Sequence, residues 1–150
     1  MLLVAYPSEK AIRKDEVAWI ICRTRRNASN GIQTCIISTY RTIVKKDLSD
    51  LLANRLVLYA EIVHGGISRS CGERTFEISD QLLDIGIFLS QLIENAKKIR
   101  IPLDIIFHNF SALIHNLGDE EAYRFITYKT RKLDEKTALV LCVYPKSHVE

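Results

Sequence analysis

Residues 103–114 read Leu-Asp-Ile-Ile-Phe-His-Asn-Phe-Ser-Ala-Leu-Ile. Ile105-Ile106-Phe107 is a short apolar stretch that breaks at His108-Asn109 and resumes with Phe110-Ser111-Ala112-Leu113-Ile114. A run this apolar, bounded by Pro102 and polar residues, predicts a strand buried on both faces, as inside a parallel sheet. A fold that hides both faces of a strand must cover them with other elements, and the rest of the chain supplies candidates.

Residues 2–6 read as a first strand, ended by Pro7. A helix is expected from about Asp15 to Arg26, with acids at its start and Arg23, Arg25 and Arg26 at its end, the order that a helix dipole favours. Asn27-Ala28-Ser29-Asn30-Gly31 is its stop signal. A second strand follows at 32–39, a short helix around 45–54 and a third strand at 55–63. Residues 64–75 hold three of the six glycines and read as one long loop. A long helix is expected from Ser79 to about Lys98, with Leu82, Leu83, Gly86, Leu89, Leu92, Ile93 and Ala96 on its buried face. The strand at 103–108 comes next. Asp119-Glu120-Glu121 opens a further helix closing with Lys129, Arg131 and Lys132, and residues 138–144 make a fifth strand stopped by Pro145. Strands alternating with helices predict an α/β fold, a three-layer α/β/α sandwich on a mainly parallel five-stranded sheet. At 150 residues this is one domain, 1–150, with length enough for a core.

Composition narrows the function classes. A net charge of +3 is mild for a dedicated nucleic-acid binder, so nucleic acid is not the expected partner. No apolar run approaches bilayer length, and the opening Leu2-Leu3-Val4-Ala5-Tyr6 lacks a basic region and cleavage pattern, so it reads as a strand rather than a signal peptide. Cys22, Cys35, Cys71 and Cys142 form no CxxC pair and have no histidine at ligand spacing, so no metal site is expected and a reducing cytoplasm is the default location. No nucleophile–base signature such as GxSxG occurs.

The stretch with Phe110-Ser111-Ala112-Leu113 resembles the second nucleotide motif of RecA-superfamily ATPases, the KaiC-like branch especially. There a hydrophobic strand ends in an aspartate, followed by a small polar residue and Leu-Ser-Ala-Leu. The order of strands and helices is similar to the RecA-type core from end to end, while the closer likeness covers about residues 99–148, including the helix from Glu121 to Tyr128 and the last strand with Pro145 and His148. The resemblance implies a RecA-like sheet of the P-loop NTPase type. Because the family normally continues with further strands beyond this point, this copy looks trimmed as well as altered.

The nucleotide motifs themselves depart from the family. His108 stands where the magnesium-associated aspartate belongs. The phosphate loop GxxxxGK[ST] is replaced by Tyr6-Pro7-Ser8-Glu9-Lys10-Ala11-Ile12-Arg13-Lys14-Asp15, and residues 1–30 contain no glycine. Aligning Lys14 with the motif's lysine puts Arg13 on the preceding glycine and Asp15 on the magnesium-binding hydroxyl. β-Carbons there oppose the tight backbone wrap, and Glu9 and Asp15 repel phosphate. The water-activating glutamate at the end of the second strand is also missing from Ser38-Thr39-Tyr40-Arg41-Thr42. Three parts of the phosphoryl-transfer apparatus are absent together.

The expected function is therefore that of a catalytically inactive RecA/KaiC-like domain, a pseudo-ATPase with no catalytic residue and no cofactor. It would act as a regulatory or scaffold protein on a protein partner or as a homo-oligomer, away from membranes. One alternative is residual nucleotide (ATP) binding without efficient hydrolysis through Lys10, Arg13, Lys14, His108 and Asn109. Another is a DNA-associated, recombinase-like accessory role, to which Arg23-Thr24-Arg25-Arg26 and Lys97-Lys98-Arg100 would contribute. The C-terminal ends of such strands are where open sheets bind ligands, so Ser38, Thr39 and His64 are expected to share a crevice with His108 and Asn109.

Overall fold

A computed structural model describes residues 2–5, 16–40, 45–72 and 74–143. The phosphate-loop counterpart with Lys10, Arg13 and Lys14, and the terminal Pro145 and His148, lie outside the described residues. The elements in chain order are β1 (Leu2–Ala5), α1 (Val17–Ser29), β2 (Gln33–Thr39), a 3-10 turn (Lys45–Leu48) running into α2 (Ser49–Leu52), β3 (Val57–Val63), β4 (Arg69–Ser70), β5 (Thr75–Ser79), α3 (Leu82–Ile99), β6 (Leu103–His108), α4 (Phe110–Leu117), α5 (Asp119–Thr130) and β7 (Thr137–Val143).

The chain is α/β with a mixed, mostly parallel sheet. Its seven described strands take the order β1-β7-β6-β2-β3-β5-β4, and only β4 runs antiparallel to its neighbour. The five-strand expectation falls short because the region read as a loop carries β4 and leads straight into β5. Phe76 and Ile78 in β5 lie beside β3, in register with Ala60 and Ile62. The apolar run that organises the sequence is likewise divided. Its first half is β6, fully buried, and its second half is α4, with the change made at Asn109. Asn109 holds φ +56, a left-handed conformation that asparagine tolerates, and its side-chain oxygen accepts from the Ala112 N–H.

Strand alternation sorts the core onto the two faces of the sheet. Cys35, Ile37, Leu103, Ile105, Phe107, Leu139 and Leu141 face one side and pack with α3, α4 and α5. Ile36, Tyr59, Ile106, Val140 and Cys142 face the other and pack with Ile20 of α1 and with Leu48 and Leu51. On α3 the buried Ile85, Leu89, Leu92, Ile93 and Ala96 follow helical spacing, each large side chain contributing about 2 kcal/mol of transfer free energy. Helix α1 extends past its predicted end to Ser29, and Gly31 at φ +71 turns the chain into β2.

Helix α1 is tied across β6 at both ends. Arg23 forms a fork with Asp104, Nε to Oδ2 at 2.5 Å and Nη2 to Oδ1 at 3.0 Å, and Asn27 donates to both Asp104 and Thr34. At the other end Glu16 meets His108. Glu16 and Arg23 are about 10 Å apart along a helix, and Asp104 and His108 about 13 Å apart along one face of a strand, so the two spans match.

Candidate functional site

Strand β2 leads to α2 on the α1 side of the sheet, whereas its neighbour β6 leads to α4 on the opposite side. Connections that part in this way open a crevice above the strand ends, the usual ligand position in open α/β sheets. Ser38 and His108 are register partners at its floor.

That floor is closed. The side chains of His108 and Glu16 are 1% and 0% exposed, and His108 Nδ1 lies 2.5 Å from Glu16 Oε1. This contact with the Glu16 side chain fixes the orientation of the ring. His108 Nε2 is buried with no hydrogen-bond partner among the described residues. Glu16 also faces β7, where burial first, and then the nearby Glu16 carboxylate, push the Cys142 thiol far above its ordinary range. Ser38 and Thr39 are fully buried in the sheet. The His108 and Glu16 side chains are likewise buried almost completely from solvent. Asn109, bound to Ala112, serves as a helix cap.

His64 joins a different group. Tyr40, His64 and Asp80 directly follow β2, β3 and β5, and Asn116 lies near the end of α4. Asp80 Oδ2 accepts from His64 Nδ1 at 2.8 Å, from the Tyr40 hydroxyl at 3.2 Å and from Asn116 Nδ2 at 3.4 Å. The Tyr40 and His64 rings stack with centroids 3.8 Å apart and planes 8° from parallel. Burial, then the negative field of Asp80 and its hydrogen bond, raise the Tyr40 phenol well above its usual range, so it stays a neutral donor.

Of the residues singled out in the sequence, Ser38 and His108 come together, while His64 pairs elsewhere. Glu16, Tyr40, Asp80 and Asn116 were missed. Glu16 reads from the sequence as a helix-dipole acid, and Asp80 follows a strand whose five residues gave too short an alternation to register. Arg23, in the first of the basic clusters considered for nucleic acid, is committed to Asp104. Among the described residues no group of His, Cys, Asp and Glu is placed to hold a metal ion, and no helix is long and apolar enough to cross a membrane. Comparison of the chain with protein-family models, with curated proteins and with solved structures finds no match in any of the three.

Proposed function

We propose that this chain is a minimal RecA/KaiC-like three-layer domain, cytoplasmic and without ATP hydrolysis, that acts by binding another protein or a second copy of itself. The observation that carries the reading is the buried Glu16–His108 pair. It fills the end of β6, where the resembling family holds a magnesium-associated aspartate open to the nucleotide. The family's aspartate would offer magnesium a free carboxylate there, whereas here an imidazole takes the position and the nearby carboxylate of Glu16 is engaged with it.

Binding remains as the function that this surface supports. Leu83 and Ile87 stand one turn apart on α3, 74% and 48% exposed, and Ile67 just before β4 is 85% exposed. Single exposed apolar residues are ordinary, but these two lie on the helix that flanks the β4–β5 edge of the sheet. The two-residue β4 leaves that edge short, and backbone pairing to a partner strand is one available mode of association.

The test is light scattering of the purified chain together with a pull-down from native extract, each repeated with Leu83→Glu. Self-association or a recovered protein that the substitution removes supports the reading. A strict monomer that recovers nothing sinks it.

A further inference from the structure

The Tyr40–His64–Asp80 group has the geometry of a nucleophile and carries no task in the reading above. With Asp80 as a carboxylate, which only accepts, its 2.8 Å contact requires the proton on Nδ1 and leaves the lone pair on Nε2, the nitrogen on the far side of the ring. The His64 side chain is 66% exposed while that of Asp80 is 8% exposed, so the acceptor is buried and the imidazole it orients is open. Among the described residues Nε2 has no hydrogen-bond partner. Gly65 and Gly66 follow directly, so no side chain from the next two positions covers the ring.

The arrangement is also held at a cost. Tyr40 sits at φ +54, a left-handed conformation that disfavours a bulky aromatic by about 1–2 kcal/mol. That conformation is the one in which its ring lies flat on His64 and its hydroxyl reaches Asp80. Strain of this kind persists where surrounding contacts over-determine it, and such places cluster at functional positions. An imidazole fixed by stacking on one face and a hydrogen bond on one nitrogen has a single free nucleophilic atom, held in one orientation.

We propose that His64 is a phosphoryl-acceptor site, modified on Nε2 by a donor that carries its phosphoryl group on nitrogen. In the transfer the Nε2 lone pair forms a bond to phosphorus as the donor's P–N bond breaks. The P–N bonding pair stays on the donor nitrogen, which departs as a neutral amine or imidazole because the donor is already protonated. That proton sits on the departing nitrogen in phosphoramidate and on the other ring nitrogen in phosphohistidine. The Nδ1 proton of His64 stays on its hydrogen bond to Asp80. No electron or further proton is needed. An acceptor exposed to this degree suits modification by an incoming donor. The inference does not rest on the loss of nucleotide chemistry or on partner binding.

The chain carries its own control, because His115 is exposed on α4 beside Asn116. The experiment incubates the intact protein with potassium phosphoramidate in one arm and with a phosphohistidine peptide in the other. Acid-labile phosphate is then located by mass spectrometry after digestion under alkaline conditions. Labelling of His64 at least about tenfold faster than His115, and slowed about tenfold by Asp80→Asn, is the expected result. Label in the peptide arm alone points to a protein donor; label in both points to a small one. Equal labelling of His64 and His115, or none at His64, overturns the proposal. Should Asp80→Asn fail to fold, nitrogen-15 NMR of the unmodified wild-type protein decides the same point. His64 must show a protonated Nδ1 and a bare Nε2, and a mixture of tautomers contradicts the mechanism.

Discussion

Glu16 and His108 are ninety-two residues apart in the sequence, and their side chains meet at 2.5 Å beneath the switch between β2 and β6. One end of α1 is thereby fastened to the rim of the sheet, while Arg23 and Asp104 fasten the other end. The same contact that helps to fix the fold lies buried at the ends of neighbouring strands β2 and β6.

Replacing His108 by the acid that the resembling family carries does not rebuild an active site here. His108→Asp sets a second carboxylate against buried Glu16. The repulsion and unpaired charge cost about 3 kcal/mol of stability, with no gain in ATPase activity. Urea denaturation and a phosphate-release assay check the two halves. Undiminished stability would show that the crevice is open to water.

The second clamp has its own signature. Asp104→Ala leaves the part-buried Arg23 and the buried Asn27 without their shared acceptor, and a loss of about 3–5 kcal/mol is expected. Exchanging Arg23 for Met removes the charge but keeps packing volume near Trp19, whose ring lies 5.4 Å from the guanidinium. It leaves the more deeply buried Asp104 to Asn27 alone, so the double variant Arg23→Met, Asp104→Ala should cost less than the two single losses together. Thermal denaturation of the three variants forms the cycle.

Tyr40 sets an alkaline limit on stability. Its phenol is raised in the folded chain above the ordinary 10.0. Below that value the group is neutral whether folded or unfolded, and its contribution is fully present. As pH rises past it the unfolded chain ionises first, so the contribution is lost progressively up to the folded value. Ultraviolet titration should find Tyr40 ionising late and Tyr128, lowered by Lys132, ionising early. Tyr40→Phe should remove one tyrosine from the late phase.

Helix α3 ends on Arg100 at φ +57, with its N–H bonded to Ala96 and Lys97 carbonyls. That position favours glycine, so Arg100→Gly should stabilise the chain by about 0.5–1 kcal/mol, measured as a raised urea midpoint with unchanged slope.

The α/β alternation was legible because each buried strand reads as an apolar run and each helix as a spaced stripe. Strands at 103–108 and 138–144 were placed within a residue of their observed bounds. The continuous run through Phe110–Ile114 hid α4, since an apolar stretch has no period that separates a buried strand from a buried helix. Strand β5 was lost because five residues beside a glycine-rich segment carry little pattern. The site was less legible still. Ser38 and His108 end neighbouring strands and were found together, but the Glu16–His108 and Tyr40–Asp80 contacts join residues 92 and 40 positions apart. Only the fold brings those side chains into one place.

The proposed loss of nucleotide binding is open to one decisive measurement, calorimetric titration with magnesium-ATP and magnesium-ADP. The account predicts no binding of either nucleotide at sub-millimolar concentration. Micromolar binding that Lys14→Ala abolishes would contradict it and make the protein a nucleotide sensor.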